Sequence, residues 1–271
     1  MPGDAGDTPH DTHPLPHAYH ASRERRPSVH LSDCSSVGRV GVVVASVGCG
    51  SVSIESPEFL TATRTSYDAI APAFSERFTA AGLDDRPLDR MPIAAFAELV
   101  RATGSAPVAD LGSGPGHVTA LLHSLGLPVF GVDISPRMVE LARRAYPDLR
   151  FHVGSMTSLD LPDGTLGGIA ALYSIIHVPD EHLSAMFAEF HRVLVPGGYV
   201  LLAFQSGDKD GHLHLTERFG QEISLDYYWR TPESVADRLT EAGLQPHARV
   251  LREPYEEEKL PRAFLLVRKP T

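Results

Sequence analysis

Cysteine, lysine and tryptophan are scarce in this 271-residue sequence, and where they fall matters more than how few they are. Both cysteines, Cys34 and Cys49, precede Pro57, so the rest of the chain has no thiol. That absence excludes a disulfide framework, a zinc-thiolate cluster and a cysteine nucleophile from everything after residue 57, and no metal is expected there. Lysine occurs only at 209, 259 and 269, and acids outnumber bases 34 to 24, for a formal net charge of −10. A polyanion finds no basic footprint on such a chain, so nucleic acid is not an expected partner. No apolar run approaches the roughly 20 residues that span a bilayer. The nearest, Val40-Gly-Val-Val-Val-Ala-Ser-Val-Gly-Cys49, is short, glycine-rich and too late for an export signal, so no membrane partner and a cytoplasmic location are expected.

What is present divides the chain near residue 57. Residues 1–36 mix Pro, His, Asp, Ser and Arg without apolar periodicity, and 1–56 reads as a disordered extension because nothing in it offsets the entropy of ordering. The histidines His10, His13, His17 and His20 read as solvated low-complexity sequence rather than a metal site. All 11 phenylalanines and Trp229 come later, which assigns the hydrophobic core to one domain over 57–271.

From Ala106 onward, short buried-strand runs alternate with helical patterns. The strands are 107–111, 128–133, 149–153, 168–173 and 199–204, and a typical helix carries Leu183, Met186, Phe187, Phe190, Val193 and Leu194 at helical spacing. Ser135-Pro136 and Thr231-Pro232 read as N-cap plus first-turn pairs, and Gly126 and Gly243 as helix C-terminal glycines. The alternation predicts an α/β, Rossmann-like, doubly wound sheet. Two stretches depart from it: 58–103 is helical, and 205–230 holds two alternating runs, 212–216 and 223–228, that predict an inserted hairpin after strand five. Both are candidate covers over the carboxyl ends of the strands, where such sheets bind ligands. Arg262–Arg268 reads as the last strand, hairpinned with residues near 247–253.

Asp110-Leu-Gly-Ser-Gly-Pro-Gly116 joins the first strand to its helix. Gly112, Gly114 and Gly116 allow close approach of a ligand, and the helix that follows is expected to offer free N–H donors. His117 stands where a dinucleotide fingerprint needs its third glycine or alanine. Asp133 ends the second strand 21 residues after Gly112, where a carboxylate can accept both hydroxyls of a ribose.

With the Gly131-Val-Asp-Ile-Ser135 strand end and Met138, the Gly154-Ser-Met156 turn, Ala171-Leu-Tyr-Ser174 with His177, and Leu194-Val-Pro-Gly-Gly198, the segment from Tyr67 onward resembles the class I S-adenosylmethionine-dependent methyltransferases that act on small molecules. The resemblance implies a seven-stranded, mostly parallel sheet with an antiparallel last strand, and S-adenosyl-L-methionine as cofactor. It implies that Gly112 and Gly114, with Ser113, Gly116 and the Asp110 region, hold the methionine part. Asp133 would bind the ribose, Ile134, Met138 and Met156 would sandwich the adenine, and Ser155 would meet its edge. Leu172 and Tyr173 would run along the cofactor, and Tyr67 would close over it. The sequence departs from the family at Ser155, where an acid is usual, and at Gly167-Gly168, where Asp-Gly is usual; the second change falls at the far end of the strand and bears on packing.

Methyl transfer needs a base only when the acceptor must lose a proton. His177, after strand four, is the expected catalytic residue and a substrate contact, or else a structural histidine capping the next helix. Phe74, His214 and Tyr228 are the other expected substrate-binding residues; His212 and His214 share one hairpin face and can equally be solvent-exposed. The aromatic covers suggest a small, largely apolar methyl acceptor, accepting on O, N or C, and the Ala-, Arg- and Pro-rich composition suggests a bacterial natural-product enzyme. A monomer or homodimer is expected. The alternatives are an S-adenosylmethionine-binding protein without transferase activity and a nicotinamide-dependent oxidoreductase.

Overall fold

The computed structural model describes residues 57–78, 86–255 and 257–271, and the extension expected over 1–56 lies outside them. The elements run α1 Glu58–Arg77, α2 Pro87–Thr103, β1 Val108–Leu111, α3 His117–Ser124, β2 Val129–Asp133, α4 Pro136–Ala145, β3 Arg150–Val153 and β4 Leu166–Leu172. A 3₁₀ turn at Ile175–His177 follows, then α5 Asp180–Val193, β5 Leu194–Gln205, β6 Gly211–Arg218, β7 Gln221–Trp229, α6 Pro232–Glu241, β8 Gln245–Arg252 and β9 Arg262–Arg268.

Seven strands form one sheet in the order β3-β2-β1-β4-β5-β9-β8, with β6 and β7 paired as a separate hairpin. Strands β1 to β5 pair in parallel, and β9 runs antiparallel to both β5 and β8. The Rossmann-like α/β architecture, the antiparallel last strand and the hairpin after strand five are therefore as expected. The helix ends follow the expected chemistry too. Ser135 and Thr231 accept from the N–H groups of Met138 and Ser234, and Gly126 and Gly243 take the left-handed conformation.

Alternation along the strands divides the core into two layers. Ala109, Leu111, Ile169, Ala171, Val200 and Leu202 face α5 and α6, where Phe187 and Phe190 are fully buried. Val108, Ala170 and Leu201 face α2 and α3. Gly168 is part of this second layer: a Cβ there would lie 2.8 Å from Phe96 Cζ, so the missing side chain lets α2 seat on the sheet. The helical stretch expected to cover the strand ends thus has two fates. Residues Ile93, Phe96 and Val100 make α2 a layer of the sandwich, while α1 crosses the carboxyl ends.

Side-chain bonds fix α1 in that position. Ser66 Oγ donates to the Ser224 carbonyl at 3.0 Å and accepts the Ser224 N–H at 3.1 Å, tying α1 to β7. Asp68 accepts from Ser135 Oγ at 2.6 Å and from the Arg137 N–H at 3.1 Å, tying it to α4. On the far side Arg252, buried at the end of β8, reaches Asp89 of α2 at 2.6 Å and Glu258 at 2.8 Å. Among the described residues no helix is long and apolar enough to cross a membrane.

Candidate active site

The carboxyl ends of β1, β2 and β4, roofed by α1 and the β6–β7 hairpin, enclose a cavity of about 420 Å³. That volume suits a small ligand. Its walls include Tyr67, Phe74, Gly112, Ser113, Gly114, Asp133, Ile134, Met138, Ser155, Met156, Leu172, Tyr173 and His177, all singled out by the sequence.

The loop after β1 is folded onto its own sheet. The N–H groups of Gly112 and Ser113 donate to the Val132 carbonyl at 2.7 and 3.1 Å, that of Gly114 to Asp133 Oδ2 at 2.8 Å, and that of Gly116 to the Ser113 carbonyl at 3.0 Å. Asp110 is buried beneath the loop and accepts from the hydroxyl of Thr119 at 2.6 Å and from its N–H, filling the first turn of α3. The N–H groups of the loop glycines and Ser113, and that of Thr119 in the helix, are therefore already taken, because the protein supplies its own acceptors. Asp110 and Gly116 lie off the cavity wall for the same reason. Asp110 caps the helix from below, and the Cα of Gly116 faces the Phe151 and Tyr146 rings.

Burial pushes the Asp110 carboxyl up to about 7 and that of Asp133 up to about 6, with the hydrogen bonds to each opposing the rise. Asp133 accepts one N–H on each oxygen, from Gly114 and from Ser135, both at 2.8 Å. Two buried side-chain atoms among the described residues have no hydrogen-bond partner, Ser113 Oγ and Gln205 Oε1, and both residues line the cavity. Orphaned buried polar atoms gathered at one cavity mark it as built for a polar ligand. Ser155 Oγ accepts the Thr157 N–H at 3.2 Å and pairs with Thr157 Oγ1 at 2.8 Å, a local turn in place of the usual acid.

At the other end of the cavity, His177 donates from Nδ1 to the Asp226 carbonyl at 2.7 Å, which leaves Nε2 to accept the Tyr67 hydroxyl at 2.8 Å. It caps no helix: α5 begins after Pro179 without a side-chain cap. Burial pushes His177 down to about 4, and burial with the neighbouring Tyr227 raises Tyr67 well above the usual phenol value. Both are neutral near pH 7. The 3₁₀ turn carrying His177 is held from behind by buried Arg230, which donates to Asp180 at 2.9 Å and to the Val178 carbonyl at 2.6 Å.

Two expected substrate contacts are corrected by the hairpin's register. His214 is exposed and bonds Asp226 Oδ1 at 2.7 Å, next to His212 at 2.8 Å on the same atom. Tyr228 stacks on His212, with ring centres 4.6 Å apart, and points away from the cavity. Its neighbour Tyr227 is the one facing inward, 4.6 Å from the His177 ring, because successive strand residues alternate faces. Sequence reasoning missed Arg218, Gln205, Phe59 and Arg262 on the wall.

Residues 108–198 match the family described as Methyltransferase domain. A demethylmenaquinone methyltransferase of Chlorobaculum parvum is 34% identical over 92 residues, which make up 34% of this chain and 37% of that protein. A trans-aconitate 2-methyltransferase of Escherichia coli O157:H7 is 35% identical over 148 residues, 51% of this chain and 56% of that one. The chain thus spans about half or less of the length of these curated relatives. The solved structure of the 1,6-didemethyltoxoflavin-N1-methyltransferase of Burkholderia thailandensis, with 1,6-didemethyltoxoflavin and S-adenosylhomocysteine bound, matches with a TM-score of 0.56 at 21% identity, covering 79% of this chain and 90% of that one. This likeness establishes a shared fold.

Proposed function

We propose that this chain, which carries a class I S-adenosylmethionine-dependent methyltransferase domain, transfers a methyl group from S-adenosyl-L-methionine to a small, largely apolar acceptor. The observation that carries the reading is the pair of buried acids, Asp110 and Asp133, flanking a glycine loop whose N–H groups are already taken. A pyrophosphate needs free donors and an open helix N-terminus. Here the loop N–H groups go to Val132, Ser113 and the Asp133 carboxylate, and the Thr119 N–H of the helix goes to the Asp110 carboxylate, so the loop suits a cationic nucleoside and disfavours a dinucleotide. The orphaned hydroxyl of Ser113 adds a polar partner on the same wall.

When bound, S-adenosyl-L-methionine supplies a methyl group already activated on a sulfonium. Asp133 would accept from the ribose hydroxyls with the lone pairs its two N–H bonds leave free. Gly112, Ser113 and Gly114 border the methionine part. Ile134, Met138 and Met156 would flank the adenine, Ser155 would meet its edge, and Leu172 and Tyr173 would border the far side. Tyr67 closes the cavity from α1, and Phe59, Phe74 and Tyr227 give the acceptor an apolar wall.

His177 acts here by position. With a pKa of about 4 it is too weak to take a proton from a phenol near 10, a gap of about six units or roughly 8 kcal/mol. Its two hydrogen bonds instead lock the Tyr67 hydroxyl to the hairpin backbone. Calorimetry with S-adenosylhomocysteine and with NADH tests the reading. Saturable binding of the first and none of the second is expected, followed by transfer of labelled methyl to members of a panel of phenols, amines and acids. Binding of NADH alone would sink it.

A further inference from the structure

Three arginines line the cavity, Arg86, Arg218 and Arg262. Two of them share one acid: Arg86 reaches Glu258 at 3.1 Å and Arg262 reaches it at 3.5 Å. Arg218 is different. Its Nη1 donates to the Tyr227 hydroxyl, and among the described residues no carboxylate pairs with it. Its guanidinium instead lies 5.0 Å from the ring centre of Phe219, 5.7 Å from Tyr227, 5.8 Å from Phe74 and 5.9 Å from Phe78. Aromatic faces hold a cation by about 0.5–1 kcal/mol each at exposed sites, and they leave its charge uncompensated. The hairpin fixes where that charge sits, because Arg218 pairs with Gln221 across a two-residue turn in which Phe219 and Gly220 are both left-handed.

Building on the methyl-transfer reading, we propose that Arg218 recognises the acceptor and that the acceptor is a small carboxylic acid whose apolar body lies against Phe74, Phe78 and Tyr227. A planar guanidinium fork whose Nε and Nη2 donors have no partner among the described residues matches one carboxylate in charge and shape. A dianionic phosphate ester would call for a second unpaired cation, and Arg86 and Arg262 are committed to Glu258. The geometry also links recognition to His177, which is held low chiefly by burial and secondarily by the charge of Arg218. A carboxylate on the guanidinium cancels that second influence.

The test uses the full chain saturated with S-adenosylhomocysteine and measures binding of benzoate, trans-cinnamate and trans-aconitate against the corresponding amides. At least one acid is expected to bind about tenfold or more tightly than its amide, as for one charge-assisted contact. Arg218→Gln should abolish that preference with homocysteine-product affinity unchanged within about twofold, and Arg218→Lys should restore part of it. The proposal is overturned if no acid binds, if acids and amides bind alike, or if the preference survives Arg218→Gln. It is equally overturned if Arg218→Gln lowers Tm while leaving the acid-to-amide ratio intact, since Arg218 is then only a clamp between hairpin and α1. Failure of wild-type protein to bind S-adenosylhomocysteine, read first in the same titration, is instead the failure of the methyl-transfer reading and removes this proposal's premise.

Discussion

Replacing Asp133 by Asn perturbs the group to which the proposed ribose contact is assigned. The carboxylate is 8% exposed, and each oxygen already accepts one N–H at 2.8 Å. About four lone-pair sites serve a carboxylate, so roughly two remain for ribose hydroxyls. Asn keeps the shape but leaves one acceptor oxygen, now neutral, and puts an NH2 donor where the other stood, a loss of at least about 1 kcal/mol for each hydroxyl bond. Two such bonds amount to about 2 kcal/mol, or about 30-fold in Kd. Acidity gives a second signature. Burial holds Asp133 at about 6, and the ionised form accepts more and stronger hydroxyl bonds than the protonated one, so wild-type affinity for S-adenosylhomocysteine should fall as pH drops through about 6. Asp110, raised partly by the charge of Asp133, titrates lower in the variant, so the ratio of the two affinities reads Asp133 together with that coupling. Titration calorimetry should give a ratio of about 30 near pH 8 that shrinks severalfold by about pH 5. An unaltered variant, or a ratio that acid does not shrink, refutes the ribose assignment.

His177 should make the fold acid-sensitive. Its pKa falls from 6.5 to about 4 on burial, so the stability it confers is complete above about 6.5 and is lost as pH falls toward 4, up to about 3 kcal/mol. Urea unfolding of wild type and His177→Gln across that window should show this difference in slope; identical slopes would mean His177 protonates freely in the native state. Arg252→Met takes from buried Asp89 its close partner, leaving only Arg86 at 4.0 Å, while Glu258 keeps Arg86 and Arg262; the loss should be about 3 kcal/mol, or roughly 10 °C in Tm by calorimetry. A drop under about 3 °C contradicts the burial of that cluster. In the glycine loop a Cβ at Gly112 would lie 2.3 Å from Ser174 Cβ, whereas one at Gly114 meets nothing within 4 Å. Gly112→Ala should therefore destabilise the fold by about 1–3 kcal/mol more than Gly114→Ala, and equal losses in Tm would show the loop to be placed otherwise.

The fold and the glycine-loop side of the cavity wall were legible because their signals are local. A strand, a glycine turn and a helix follow one another between Val108 and Ser124, and the acid that faces them ends the next strand. The acceptor half was not, because it is assembled from residues far apart in the chain. Tyr67 meets His177 across 110 positions, and the Ser66–Ser224 pair spans 158. Within the hairpin the period of two was visible, but nothing local says which face turns inward. The choice of Tyr228 over Tyr227 fell on the wrong side of that one-residue ambiguity. Arg218 carries no motif at all. Only the structure shows that rings, and no carboxylate among the described residues, surround it. His177 was legible as a position and not as a base, since its low pKa comes from being roofed by α1 and the hairpin.

The same burial explains why two acids stand where the ligand-free fold gains little from them. A carboxyl whose native pKa is raised binds protons more readily folded than unfolded, so the ligand-free protein loses stability as pH rises from about 3.8 through the folded value. At neutral pH the shift at Asp133 alone, from 3.8 to about 6, corresponds to about 3 kcal/mol. Desolvated carboxylates are a cost that a purely structural loop could avoid with Asn or Ser. Beyond the loop and helix N–H groups they hold, a ligand that brings donors or positive charge would give them a further use, and both acids lie beside the glycine loop, one on the cavity wall and one beneath it. A bound cationic nucleoside would then recover part of what the ligand-free fold forgoes. The rise in Tm on binding should accordingly grow with pH from about 5 to about 8, whereas stabilisation that is flat across that range would separate these acids from the ligand.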